Sequence, residues 1–313
     1  MTPKVNKEGI EKNRAPEPLY LSALRKGTLA ERKATALQKL SDCDLCPRKC
    51  HVNRTEGEQG YCRTGRRAVV ASYSPHYGEE APLAGTSGSG TIFFAHCNLL
   101  CNFCQNFDIS HEGYGIEVSS SRLARMMLEL QERGCHNINF VTPSHVIPQM
   151  LAAIEAAAGS GLKIPVIYNS GGYDDVGSLQ LLEGIIDIYM PDFKFWDPEI
   201  SHATMNASDY PEVARNALIE MHRQVGDLVL ENGIAVRGLL VRHLVMPSRV
   251  AGTGEIMRFI AEQISKETYV NIMAQYRPCG RSFETPEINR ALSTSGYLEA
   301  LATARQAALH RLD

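Results

Sequence analysis

Cys97, Cys101 and Cys104 stand in a C-x3-C-x2-C spacing directly after a β-forming run, TIFFA at residues 91–95. Thiolates hold iron–sulfur clusters, and closely spaced cysteines on one loop can take a cubane corner by corner. Three thiolates on four irons leave one iron open to a ligand, by the logic that separates open catalytic metal sites from closed structural ones. A zinc knuckle, or three incidental buried thiols, is the other reading of such a triplet. A second set, Cys43-x2-Cys46-x3-Cys50-x11-Cys62, has four donors and can close a metal site completely. Its spacing suits a structural zinc and an auxiliary [4Fe-4S] cluster equally, with Gly60 and Tyr61 forming the turn that returns Cys62. Seven of the nine cysteines fall between residues 43 and 104. Such clustered thiols, in a chain with no visible export signal, are expected to stay reduced and to bind metal rather than to pair.

These residues need a scaffold, and the pattern after residue 91 supplies one. Six β-rich runs follow in order, at 91–95, 137–141, 165–168, 185–190, 238–245 and 268–274. Helical patterns lie between them, at 119–134, 146–158, 177–183 and 254–264, with a C-terminal helix at 294–312. The clearest puts Leu123, Met126, Met127 and Leu130 at i, i+3, i+4 and i+7, opened by serines and stopped at Gly134. Alternation of this kind predicts repeated βαβ units on a parallel sheet. The expected fold is α/β, a partial (β/α)6 TIM-like barrel with a small N-terminal Cys-rich module. Functional residues are then expected just past the C-terminal ends of the strands. The domain reading is a lead-in at 1–42 with a helical pattern over 19–40, the Cys-rich module and its connection at 43–90, and the barrel with its C-terminal helix at 91–313. Residues 43–67 are too poor in apolar side chains to fold without a staple.

Composition narrows the class. Of 313 residues, 44% are hydrophobic and 21% charged, enough to build a large core, and the net charge of −3 argues against a protein built to hold nucleic acid. The longest apolar stretches, 150–158 and 234–247, are interrupted by Glu155, Arg237, Arg242 and His243, well short of a membrane span. No apolar segment near the N-terminus resembles a secretory signal, so no membrane association and a cytoplasmic location are expected.

The three-cysteine loop, with Phe103 before its last cysteine, resembles the radical S-adenosylmethionine (SAM) superfamily. The extended motif HCNLLCNFCQNFDIS is similar to the branch of pyruvate formate-lyase activating enzyme. The segments PHYGEEAPLAGTSGSGTIFF, VTPSH, YNSGGYD, DIYMPDFKFWD, VRHLVMP and VNIMAQYRP resemble an uncharacterised family within it. The likeness covers roughly residues 43 to 310. It implies a [4Fe-4S] cluster on Cys97, Cys101 and Cys104 whose unique iron chelates SAM, and reductive cleavage of SAM to a 5′-deoxyadenosyl radical that abstracts hydrogen from a substrate. Phe103 would shield the cluster.

In those relatives a Gly-Gly-Glu-type motif meets the SAM amino group after the second strand. Here Thr142-Pro143-Ser144-His145 stands instead; the Thr142 and Ser144 hydroxyls could substitute, or Ser144 could cap the helix that starts near Val146. Asn169 and Ser170, before Gly171-Gly172, match an Asn-Gly-bearing loop. Asp192 and Lys194 are similar to an Asp-x-Lys motif beside the SAM carboxylate, and two residues apart on a strand they face the same side; a surface ion pair is the plainer reading. Strand alternation sends Arg242 and His243 to opposite faces. Arg242 is the candidate for a carboxylate, and His243 for a packed, hydrogen-bonded histidine facing a helix. Gln275, Tyr276 and Arg277 could touch adenine or substrate. Cys279 is either an inert loop thiol or a hydrogen donor to a substrate radical, and Cys135 is helix-end core.

The resemblance further implies an external electron donor such as flavodoxin or ferredoxin. It also implies a substrate that could be a glycyl-radical enzyme, another protein or a small molecule. The alternative function is an iron–sulfur electron-transfer or redox-sensing protein that does not cleave SAM.

Overall fold

Gly27, at φ +80°, divides the first helical pattern into α1 (Leu19–Lys26) and α2 (Thr28–Gln38). A left-handed turn of this kind ends a helix without strain only at a residue lacking Cβ. The computed structural model describes residues 16–313; residues 1–15 of the lead-in lie outside the described residues. Among residues 43–62 the only regular element is a 3-10 turn, Arg54–Glu56. The segment is held by close turns such as Cys43 N–H to Val52 O at 3.1 Å and Lys49 N–H to Cys46 O at 3.0 Å.

The chain then runs through β1 (Ala68–His76), α3 (Ala81–Ala84), β2 (Ser89–Phe94), α4 (Phe107–Ser110), β3 (Ile116–Val118), α5 (Ser120–Glu132), β4 (Ile138–Val141), α6 (Ile147–Gly159), β5 (Val166–Ser170), α7 (Val176–Gln180) and β6 (Ile188–Pro191). It continues with α8 (Pro198–Met205), α9 (Tyr210–Val225), β7 (Val229–Glu231), β8 (Ile234–Leu244), α10 (Thr253–Phe259), β9 (Tyr269–Met273) and α11 (Thr294–Gln306). The strands are ordered β3-β1-β2-β4-β5-β6-β8-β7, with β9 also on β8. β2, β4, β5, β6, β8 and β9, the six runs legible in the sequence, pair in parallel. β1, β3 and β7 are antiparallel additions. The molecule is thus a mixed α/β fold around a central, mostly parallel sheet, and among the described residues no helix is long and apolar enough to cross a membrane.

Strand alternation sorts the sheet into two faces. Val166, Tyr168, Tyr189, Leu239 and Val241 pack into the main core with α5, α6, α9 and α10. Their neighbours Ile167, Ile188, Met190 and Leu240 form a second buried cluster with Leu83 of α3 and Leu228. This second cluster is an apolar floor, above which the same strands present Asn169, Asp192 and Arg242. α5 follows its sequence pattern closely. Ser119 Oγ accepts from Arg122 N–H at 3.2 Å, Leu123, Met126, Met127 and Leu130 are buried, and Gly134 leaves at φ +87°.

Besides the antiparallel strands β1, β3 and β7, which were not expected, several helices differ from expectation. The pattern at 254–264 is α10 followed by one π turn, Ile260–Ile264. The C-terminal helix stops at Gln306, six residues early, because the chain turns at Ala308 (φ +63°) and lays residues 311–313 along β9, with Val270 N–H to Arg311 O at 2.9 Å. Helices α8 and α9 fill a connection in which no element was expected.

Candidate functional site

The cysteine loop leaves the end of β2 through His96, in the left-handed region at φ +68°. Backbone bonds fix it from several sides: Ala95 N–H to Val69 O at 2.8 Å, His96 N–H to Ile109 O at 3.0 Å and Asn102 N–H to Thr204 O at 2.8 Å. Two thiols accept hydrogen bonds, Cys97 Sγ from Leu99 N–H at 3.3 Å and Cys104 Sγ from Ser110 O–H at 3.2 Å. Burial pushes the Cys97 and Cys101 thiols up, and the nearby Lys194 charge opposes it. Phe103, 5% exposed, meets Phe195 and Tyr276 edge-on at 5.6 and 6.3 Å.

Cys97, Cys101 and Cys104 line one cavity of about 790 Å³ together with Thr142, Asn169, Ser170, Asp192, Lys194 and Arg242. Asp192 and Arg242 meet because a parallel bridge sets them side by side at the ends of β6 and β8. Arg242 Nε donates to Asp192 Oδ1 at 2.8 Å and Nη2 to Asn169 Oδ1 at 2.7 Å. Lys194 Nζ donates to Asp192 Oδ2 at 2.5 Å. The side chains of the triad are only 14–18% exposed, so this is a buried ion network and not a surface pair. Burial alone would raise Asp192, yet Arg242 and Lys194 hold it below the usual carboxylate range; burial alone would lower Lys194, yet Asp192 and Cys101 hold it up.

The remaining candidates divide. Ser170 lines the cavity, but its hydroxyl donates to Asp174 Oδ2 at 2.6 Å, in a buried cluster that Tyr168 and Ser144 join. Ser144 does not cap α6: the N-cap position is Val146, with no side-chain cap bond. His145 turns away to the four-cysteine module. His243 faces away too, bonded to Phe193 O at 2.8 Å and Thr253 Oγ1 at 2.9 Å at the start of α10. Gln275 lines the cavity, Tyr276 is buried with its hydroxyl on Ile288 O at 2.6 Å, and Arg277 is exposed. Cys279 lies behind the loop, its thiol on Phe103 O at 3.0 Å, and outside the cavity lining. Cys135 is core, beside the bare Cα of Gly90.

Sequence reasoning missed the acidic side of the cavity. Glu79 and Glu80 line it with Asn271, whose amide donates to Glu80 Oε1 at 2.8 Å. Glu80 Oε2 and both amide atoms of Asn139 are buried with no partner among the described residues. Burial raises Glu79, and Arg242 opposes that rise. The signal was present as the adjacent glutamates of PHYGEEAPLAG, in a stretch without a strand or helix pattern.

In the module, Cys43, Cys46, Cys50 and Cys62 line one small void with Arg54 and His145. Burial raises the Cys46 and Cys62 thiols. Gly60 is required here, since a Cβ would stand 2.7 Å from Cys50 Sγ. Among the described residues no group of three or more His, Cys, Asp or Glu side chains stands in the spacing of a loaded metal site. Both thiol sets line their cavities without forming a preformed cage.

The chain is 32% identical over 274 residues to the uncharacterized protein MJ0674 of Methanocaldococcus jannaschii, an alignment that spans 85% of this chain and 75% of that protein. This chain belongs to the MJ0674 family. No family model matches it. Both cysteine sets, the Asp192 network and the acidic pair lie on a chain of which most aligns with that archaeal relative.

Proposed function

We propose that this member of the MJ0674 family is a radical SAM enzyme, with a [4Fe-4S] cluster on Cys97, Cys101 and Cys104. The observation that carries the reading is that these three thiols and the Asp192–Lys194–Arg242 network line one cavity past the C-terminal ends of parallel strands. A single cavity lined from β2, β4, β5, β8 and β9 requires a concave sheet. That supports the finer fold reading, a partial (β/α)6 barrel with the Cys-rich module packed outside it.

The residues fit both groups. Three thiols on one loop, two of them already accepting hydrogen bonds, suit a cluster with an open iron, and hydrogen bonds to its sulfurs tune its potential. A cluster held by Cys97, Cys101 and Cys104 would, when bound and reduced, supply the electron for reductive cleavage of SAM. The chain's own groups then bind and shield. Arg242 is fixed by Asp192 and Asn169, which leaves Nη1 with no partner among the described residues, so one donor of its fork remains for a carboxylate. Asn169, Ser170 and Lys194 complete that side. Phe103 and Leu99, both buried, keep water from the loop.

The substrate is proposed to be a glycyl-radical enzyme or another protein, and the electron donor a flavodoxin or ferredoxin, in the cytoplasm. The test is anaerobic reconstitution with iron and sulfide, reduction by dithionite, and chromatography for 5′-deoxyadenosine. Product from the native chain that vanishes in Cys101→Ala supports the reading. Reversible reduction of the cluster with no product sinks it and leaves the electron-transfer alternative.

A further inference from the structure

His145 follows β4, yet it is 1% exposed and lines the void between Cys43, Cys46, Cys50 and Cys62. Its Nε2 lies 3.1 Å from the carbonyl of Ala95. A carbonyl cannot donate, so Nε2 carries the proton of the bond. The other nitrogen, Nδ1, is buried and has no partner among the described residues. An imidazole with one nitrogen donating to a backbone carbonyl and the other bare is the arrangement of a metal-ligating histidine. The void is small and enclosed by the four cysteines, Arg54 and His145. A ligand set that mixes thiolates with one imidazole is a zinc shell.

We propose that the four-cysteine module closes over one zinc ion and that His145 is among its ligands through Nδ1. Zinc takes four tetrahedral ligands from thiolate and imidazole, and five residues that carry such donors line this void. Three thiolates and His145 complete the shell, and one thiol stays outside it. Rotation of the cysteine side chains would bring three of them onto the ion, and each ligating thiol would give up its proton as it binds. Arg54 is positioned to support the site: buried, it donates to His145 O at 2.9 Å and stands 3.7 Å from Cys43 Sγ.

The consequence is a clamp on the other site. The Ala95 carbonyl that orients His145 lies two residues before Cys97. Arg48, between Cys46 and Cys50, donates to Asn98 O at 2.9 Å, one residue after Cys97. The module holds the chain just after Cys97 and the β4–α6 connection holds it just before, and the ion would join the two holds. None of this depends on whether the cavity cleaves SAM.

The test uses the full chain with Cys97, Cys101 and Cys104 all changed to Ala, so that metal counted belongs to the module. The expected results are one zinc per chain and an X-ray absorption shell of three sulfurs near ~2.3 Å and one nitrogen near ~2.0 Å. In the same background His145→Ala should weaken zinc, measured by chelator competition, by more than the roughly 10- to 100-fold that loss of an outer hydrogen-bond partner costs. A shell of four sulfurs, bound iron with sulfide, or no bound metal overturns the proposal. The absorption shell decides the matter even if His145→Ala fails to fold.

Discussion

Replacing His243 by Asn should cost stability at neutral pH by an amount that shrinks or reverses in acid. Burial pushes His243 down to about 4 from 6.5, because a charged ring would sit in the core between Phe193 and Thr253. The unfolded chain takes up that proton near pH 6.5, and the folded chain only near pH 4. Between those values the unfolded state binds more protons, so stability is complete above pH 6.5 and is lost as pH falls. Two and a half units at about 1.36 kcal/mol each give a loss of about 3 kcal/mol. Asn can keep the donor to Phe193 O but leaves Thr253 Oγ1 without its partner, a cost of about 1–3 kcal/mol at neutral pH. Urea midpoints of both proteins at pH 8, 6, 5 and 4.5 supply the comparison. The native chain should be the more stable at pH 8, and the gap should close or reverse by pH 4.5. Parallel pH profiles, with a constant gap, would refute the reasoning, since His243 would then titrate alike in both states.

Arg242→Lys keeps the charge but loses the fork that spans Asp192 and Asn169. Loss of one charge-assisted bond, about 1.5–3 kcal/mol, should weaken SAM binding about 10- to 100-fold by anaerobic calorimetry, with iron content unchanged. Gly172 has φ +77°, and a methyl there would meet the Asp192 carbonyl. Gly172→Ala should therefore lower stability by about 1–3 kcal/mol and SAM affinity together, read from urea midpoints and the same calorimetry. Asp187 shows the opposite linkage to His243: burial raises its carboxyl to about 7, although it accepts from Leu19 and Val166 N–H. The folded state holds this proton from pH 3.8 to 7, where the unfolded state has lost it, so its contribution falls as pH rises. Asp187→Asn should then cost about 2–3 kcal/mol more at pH 5 than at pH 8, measured by urea midpoints.

The parallel strands were legible because burial on both faces makes each a continuous apolar run, as in NINFV and PVIY. β3 and β7 were not, being three residues long with mostly exposed side chains. α9 buries Tyr210, Ala214, Ala217, Leu218, Met221 and Val225 at helical spacing. Its alanines and intervening charges mute that stripe, and so the 195–233 connection read as featureless. Within the site, the cysteine spacing and the Asp192–Lys194 pair were visible because ligands two to four residues apart must share a loop or a strand face. Asp192 and Arg242 are 50 residues apart, and only the order of β6 and β8 makes them neighbours. Glu80 and His145 were obscure for the same reason: their partners, Asn271 and Ala95, lie far away along the chain, and nothing local marks the side they face.

The charges of the cavity wall alternate. Lys194 is followed by Asp192, then Arg242, then Glu79 and Glu80, each acting on the next. A row of alternating signs cancels its own field within a few ångströms, and the Debye length at physiological salt is already about 8 Å. The wall is therefore nearly silent toward solvent and speaks only at contact. A ligand is not drawn in by net charge; it is sorted by whether its own positive and negative groups fall in step with the row. Binding to this wall should accordingly be almost indifferent to ionic strength.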